Sequence, residues 1–432
     1  MSTPAAGNRA GSGLFGLGAF LLLVALWDGY VLVALSQTLP ELRAAFGLSV
    51  SEGGKLVACA NVGTIFGYFV LRLSDSVGRR PVLLWSVLGY SLTSLASALA
   101  PSVLWFLIGQ FGTRIFIVSA LASALLYVTE EYPTRHRRQA VALLLSAASL
   151  GGVLCAVLAP SFVAMEQGWR KVYLFGALAL IGLPYGLFCV RETRSFRALS
   201  ERVTPSLTSI WKGGHGPMLL VCASLWILTY SVNQSAVTFW KEHALTDLAI
   251  EPRLTGQYIA LAAIVAIPLS ATVGPILNQL GRLGASVLVY VVLTLGLLGS
   301  YTLPPGTLMA LSLMMMFGGA SGALVIVSTI TTESFPTEQR GDAMGWSNSL
   351  LGRFGFVLSP LLVSTLSEQQ GWSSVMPYLA VLPMLTLLIV WRFVPRADKL
   401  PVRGSSDDSA RPVSAEPTAP AGQAAMAEPE AD

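Results

Sequence analysis

The sequence predicts an all-α membrane protein of twelve transmembrane helices, arranged as two six-helix bundles related by a parallel internal repeat. Three observations predict it: a scarcity of charge, twelve long apolar runs, and loop motifs that recur at one fixed spacing. The 432 residues are 53% hydrophobic and only 12% charged. A soluble domain carries roughly 25% charged residues. Charge this sparse cannot cover a water-facing surface, so lipid is the solvent for much of the chain.

A helix needs about 20 apolar residues to cross a bilayer. Such runs fall at 14–37, 53–73, 82–100, 103–128, 139–164, 171–190, 217–240, 255–277, 284–303, 307–330, 343–366 and 374–394. Helices are required because an open sheet leaves its backbone unsatisfied in lipid. The first run is too long for a signal-peptide core and no cleavage pattern follows it, so it reads as a retained helix. Before it lies a short polar tail, 1–13. The bundles are expected at 14–190 and 217–395, joined by a linker at 191–216 that carries Arg191, Arg194, Arg197, Arg202 and Lys212. Residues 396–432 are rich in Pro, Ser, Ala, Asp and Glu, cannot bury a core, and are expected to be disordered.

Basic residues set the orientation. With the N-terminus in the cytoplasm, 19 of the 27 Lys and Arg lie in cytoplasmic segments and six in outer loops, while Arg114 and Arg353 fall within helices. The expectation is a multi-pass protein of the cell membrane with both termini cytoplasmic.

The repeat is read from three pairs of segments. Asp75-Ser-Val-Gly78-Arg79-Arg80 matches Asn278-Gln-Leu-Gly281-Arg282. Glu130-Glu-Tyr-Pro133-Thr134-Arg-His-Arg137 matches Glu333-Ser-Phe-Pro336-Thr337-Glu-Gln-Arg340. Gln167-Gly168-Trp169 matches Gln370-Gly371-Trp372. Each pair is 203 positions apart without a gap. Six helices return the chain to the same side, so the duplication is parallel, an arrangement that places a site between two halves.

On these segments the chain resembles the major facilitator superfamily over about residues 14–395. Leu71 stands where the first loop motif usually opens with glycine, although Gly274 keeps it in the second, and Ser76 replaces the usual basic residue. The resemblance implies a secondary transporter working by alternating access, with the loop cluster holding the cytoplasmic side closed. Asp75, Gly78, Arg79, Arg80, Glu130 and Arg137, with Asn278, Gly281, Arg282, Glu333 and Arg340 in the second copy, are the implied gating residues. A carboxylate such as Asp75 near a helix N-terminus is stabilised by the unpaired N–H groups there. Arg79 can bridge to a carboxylate at a neighbouring helix end, with Glu130 the candidate. The plain alternative is positive-inside anchoring.

The charges at depth point to the site. Asp28 is the one acidic residue well inside an apolar run. Intramembrane charge is costly and marks function by default. Burial disfavours a charged carboxylate and a neighbouring arginine favours it, so a carboxyl balanced between the two can load and release a proton. A static ion pair with Arg114 is the alternative. At 1.5 Å per residue, Arg114 lies about 16–17 Å and Arg353 about 20 Å below the outer helix ends, too deep for either to reach water. Arginine suits bidentate carboxylate binding. Arg114 or Arg353, with Arg353 favoured, is expected to hold an anionic substrate while Asp28 handles the proton. Tyr30, Asn61, Gln110, Tyr230, Asn233, Gln234 and Asn348 can orient that substrate or simply tie helices together.

Asp28-Gly29-Tyr30 and Gly352-Arg353-Phe354-Gly355 resemble segments of aromatic-acid and metabolite proton symporters, although Val31 stands where many of these have a second acid. Arg191-Glu192-Thr193-Arg194 is similar to the Pro-Glu-Ser-x-Arg segment of sugar and organic-ion porters, with Arg191 where proline is usual. The expectation is symport of a small anionic metabolite. Drug–proton antiport is the rival, but helix 5 reads Ser149-Leu-Gly-Gly-Val-Leu-Cys-Ala-Val-Leu-Ala-Pro160 and lacks the glycine-proline run usual in those exporters. A non-transporting sensor is the alternative of another class.

No phosphate-cradling Gly-x-x-x-x-Gly-Lys motif, triad or metal cluster is legible, so no enzyme, cofactor, metal or nucleic-acid partner is expected. The partners are a small molecule, protons and the bilayer, and the chain is expected to act as a monomer. Cys59, Cys155, Cys189 and Cys222 read as packing residues. His136, His215 and His243 read as loop residues.

Overall fold

The computed structural model describes residues 5–198, 211, 214–336 and 339–394. Residues 1–4, most of the expected linker, Thr337, and the expected tail at 396–432 lie outside the described residues. The elements are α1 Ala5–Phe46, α2 Val50–Val77, α3 Arg79–Ala98, α4 Val103–Glu131, α5 Thr134–Val163, α6 Gly168–Gly176, α7 Ala179–Cys189 and α8 Arg194–Ala198. There follow α9 Gly216–Thr246, α10 Pro252–Thr302, α11 Thr307–Glu333, α12 Arg340–Met344, a π-helical segment Gly345–Gly352, α13 Arg353–Gln370, α14 Trp372–Leu379 and α15 Val381–Phe393. Among the described residues the fold is all-helical, and eleven helical runs are long and apolar enough to cross a membrane.

Local chemistry explains the starts and breaks. Ser49 and Glu52 form a capping box at the start of α2, each side chain bonding the other's backbone N–H. Proline opens α9 and α10 at positions where a missing N–H is harmless. The expected run at 171–190 is divided into α6 and α7, and the one at 343–366 begins earlier and includes the π-helical segment.

Three sequence expectations need correction. Two runs were expected at 255–277 and 284–303. Both lie in α10, a 51-residue stretch whose backbone leaves helical geometry at Gly281 (φ 69, ψ 178), so eleven runs are seen where twelve were expected. The second correction is at the ends of α1 and α9, which run to Phe46 and Thr246 instead of 37 and 240. Hydropathy falls where Glu41, Arg43, Lys241 and Glu242 begin, but these charges pair with one another and the helices continue. The third follows from this: His243 is fully buried in the last turn of α9, not in a loop.

Helix α1 packs on α5, α2 and α3 pack on α4, and α10 packs on α11. Small residues permit this: a Cβ on Gly29 would stand 1.7 Å from the Ala148 carbonyl oxygen of α5. Contacts also run from α2 to α13, from α5 to α10 and from α1 to α9. A shift of 203 positions carries α2 into the first part of α10, and carries α13 onto the latter part of α5. The α2–α13 and α5–α10 contacts are therefore copies of one another. Large apolar side chains such as Phe188, Ile181 and Leu362 are exposed on the outside, as suits lipid contact.

Candidate functional site

A cavity of about 240 Å³ lies among α1, α2, α4, α9, α11 and α13. Its wall is mostly apolar, with Leu32, Val33 and Leu35 from α1, Val57 from α2, and Phe317, Leu324 and Phe356 from the later helices. The polar wall is Ser36, Arg114, Tyr230, Asn233, Gln234, Thr238 and Ser321.

Arg114 is 4% exposed. Its Nη1 donates to the Leu32 carbonyl at 3.2 Å, and its Nε has no partner. Arg353 is half-buried and closes the π-helical segment. Its guanidinium stands 5.0 Å from the ring centroids of both Tyr230 and Phe356, and its Nε has no partner. Both rings line the cavity. Neither arginine makes an ion pair within 4.0 Å among the described residues. Tyr230 donates to Asn348 Oδ1 at 2.6 Å. Asn233 donates to the Ala320 carbonyl at 3.2 Å, and Gln234 to Thr238 Oγ1 at 3.1 Å.

Asp28 is 3% exposed and its Oδ1 has no partner. The charges of Asp28 and Arg353 both bear on Arg114, yet Asp28 forms no ion pair with it within 4.0 Å. The buried Tyr90 hydroxyl, also unpartnered, lies within the field of Asp28. Of the expected substrate residues, the structure thus gathers Arg114, Tyr230, Asn233 and Gln234 at the cavity, with Arg353 and Asn348 bound to its wall. Tyr30, Asn61 and Gln110 do not line it. Tyr30 donates to the Val172 carbonyl and packs on Trp27 and Phe175. Asn61 donates to the Phe356 carbonyl at 2.9 Å, tying α2 to α13. Gln110 donates to Ser97 of α3.

The loop clusters lie at the opposite helix ends from residues 41 and 241. Arg79 makes ion pairs to Glu130 and Asp75, both at 3.2 Å, and donates to the Ser74 carbonyl at 2.7 Å. In the second copy, Arg282 pairs with Glu333 at 2.7 Å. Gly78 (φ 120) and Gly281 (φ 69) both occupy backbone conformations that side chains resist. The carboxylate at the start of α3 is Glu192 and not Asp75, which ends α2. Glu192 accepts from the N–H groups of Arg79 at 2.9 Å and Arg80 at 3.3 Å, a favourable place for negative charge. The Arg80 side chain donates instead to the Val190 and Leu187 carbonyls, capping the end of α7. Asn278 is exposed, Arg137 Nε has no partner, and Arg340 donates only weakly, to Phe335 O at 3.3 Å.

Sequence reasoning missed a charge cluster on the other side of the cavity. Lys241 Nζ bonds Glu41 at 2.7 Å and the Gln37 carbonyl, while Arg43 pairs with Glu242. The usable signal was the pair of charged doublets, Glu41 with Arg43 and Lys241 with Glu242, at the ends of corresponding helices.

The Major Facilitator Superfamily pattern matches residues 14–353 and 307–426. A gentisate transporter of Corynebacterium glutamicum is 26% identical over 359 residues, covering 79% of this chain and 78% of its own. A cis,cis-muconate transport protein of Acinetobacter baylyi is 25% identical over 376 residues, covering 81% of this chain and 86% of its own. The crystal structure of a D-xylose-proton symporter matches with a TM-score of 0.74 at 20% identity, covering 89% of this chain and 98% of its own, a likeness of fold.

Proposed function

The chain belongs to the major facilitator superfamily and is a membrane transporter, not an enzyme; on that premise we propose that it imports a small organic carboxylate together with protons. One observation carries this reading. Two guanidinium groups border one cavity, and neither has an ion-pair partner among the described residues. A charge held out of water without a partner is costly. An anionic substrate supplies the missing partner, and the apolar and aromatic wall suits an organic body behind the carboxylate. Gentisate and cis,cis-muconate, named for two relatives, are both carboxylates.

Asp28 is the proton carrier in this reading. It is buried close enough to Arg114 to feel its charge but not locked to it, so protonation and substrate loading act on the same arginine. Arg114 takes the carboxylate, and Arg353, stacked between Tyr230 and Phe356, adds the second positive charge.

In the same reading α10 crosses the membrane twice, which gives twelve spans in two bundles, 14–190 and 217–395. Support comes from its length: 51 helical residues would reach about 77 Å, well beyond a bilayer. The exchange of the α2–α13 and α5–α10 contacts under the 203-residue shift supports the repeat. The lysine and arginine bias puts the Arg79 end and both termini in the cytoplasm of a cell-membrane monomer.

The test is uptake of a carboxylate panel into proteoliposomes, with and without an inward proton gradient, for wild type and Asp28→Asn. The expected result is gradient-driven accumulation of at least one carboxylate, lost in Asp28→Asn. Gradient-independent exchange in both proteins would remove Asp28 from the mechanism.

A further inference from the structure

We infer that Glu41, Arg43, Lys241 and Glu242 form an ionic latch that closes the cavity at the end opposite the Arg79 loop. Ser36 of α1 and Thr238 of α9 line the cavity. Moving away from it along the same two helices, the next polar groups are Gln37 and Glu41 on α1 and Lys241 and Glu242 on α9. Lys241 is 2% exposed and Glu242 1%. Both of their ion-pair partners lie on α1, so the contact joins the early part of the chain to the late part directly over the cavity.

The charges balance. Helix α1 supplies one negative and one positive side chain, and α9 supplies the complementary pair. The latch is also anchored. Arg43 Nε donates to the Ser49 carbonyl at 2.9 Å, and its side chain fills the space a Cβ on Gly53 would need. Helix α1 is thereby tied to the start of α2 while it reaches across to α9.

Ion pairs suit a seam that must open. Separating an apolar seam exposes hydrocarbon to water with nothing to offset the loss. Separating buried ion pairs gives up Coulomb attraction but restores hydration, and the two terms nearly cancel. The contact is therefore specific in register and close to neutral in opening, as alternating access at this face requires. The latch does not depend on which solute occupies the cavity.

Two experiments test it. The first places cysteines at both ends of one pair, Glu41→Cys with Lys241→Cys, and measures uptake of a substrate carboxylate before and after oxidation. The latch predicts that oxidation stops uptake and reduction restores it, with Glu41→Cys alone unaffected by oxidant. Uptake unchanged in the cross-linked protein would overturn the proposal, and so would failure of the disulfide to form, since the two side chains are in contact.

The second experiment exchanges the charges. Lys241→Glu is expected to lower uptake by about tenfold or more, the loss typical of a buried charge left facing its own sign. The double exchange Glu41→Lys with Lys241→Glu is expected to recover most of it. A double exchange no better than the worse single variant would also overturn the latch. These outcomes are independent of Asp28 and of the arginines.

Discussion

Residues 75–130 and 278–333 carry the same device 203 positions apart. Each has a glycine of positive φ, and next to it an arginine paired to a glutamate at a neighbouring helix end. At the cavity the correspondence fails. Arg114 and its counterpart Phe317 both line the wall, one a cation and the other an aromatic ring. The counterpart of Asp28 is Ser231, which bonds its own helix at the Ile227 carbonyl. The counterpart of Arg353 is Leu150, which is 51% exposed. The difference teaches that what was duplicated is the frame that moves. The site lies where the copies stopped resembling each other.

Substitutions in matched pairs test that division. The largest effect is expected at the cavity. Arg114→Ala should lower carboxylate uptake by at least about 30-fold, from the roughly 2 kcal/mol minimum for removing one partner of a buried charge pair. Phe317→Ala should cost only a few-fold, since it removes wall contact and no charge. Equal losses in the two would erase the distinction between site and frame. Next comes coupling: Asp28→Asn should abolish accumulation driven by a proton gradient while leaving solute exchange measurable, and Ser231→Ala should leave both intact.

The loops should respond more evenly, with one inequality. Gly78→Ala meets two obstacles, the strained φ and a Cβ 2.4 Å from the Glu192 carboxylate. Gly281→Ala meets only the strain, of about 1–3 kcal/mol, because nothing lies within 4 Å of its Cβ position. Thermal unfolding in detergent should show the larger drop for Gly78→Ala.

The smallest contrast is between the arginines. Arg79 holds two carboxylates and a carbonyl, so Arg79→Ala forfeits charged hydrogen bonds of about 1.5–3 kcal/mol each. Arg282 pairs with Glu333, whose side chain is 45% exposed, and exposed pairs contribute about 0–1 kcal/mol. Uptake rates should fall further in Arg79→Ala than in Arg282→Ala.

The spans were legible because lipid demands long apolar runs, and the Arg79–Glu130 pair because the motif recurs. The ends of α1 and α9 were not. A hydropathy reading stops at the first charges and cannot see that Glu41 and Lys241 neutralise each other across some 200 residues of sequence. Arg114 and Arg353 stood out because nothing else charged lies so deep, apart from Asp28. Tyr30, Asn61 and Gln110 were misplaced for the opposite reason. A helix apolar on every side gives no amphipathic face, so depth can be read from the sequence but direction around the helix cannot. Glu192 was hidden because a loop glutamate reveals its partner only once α7 brings it to the start of α3.

The most direct test of the central claim, that two unpaired guanidinium groups await an anion, compares a carboxylate with its neutral carboxamide of the same size. Uptake of both is measured in proteoliposomes under an inward proton gradient, for wild type, Arg114→Ala and Arg353→Ala. The account predicts that wild type accumulates the carboxylate and rejects the amide, and that each arginine variant loses this preference. Equal uptake of acid and amide by wild type, or an undiminished preference in both variants, would contradict it.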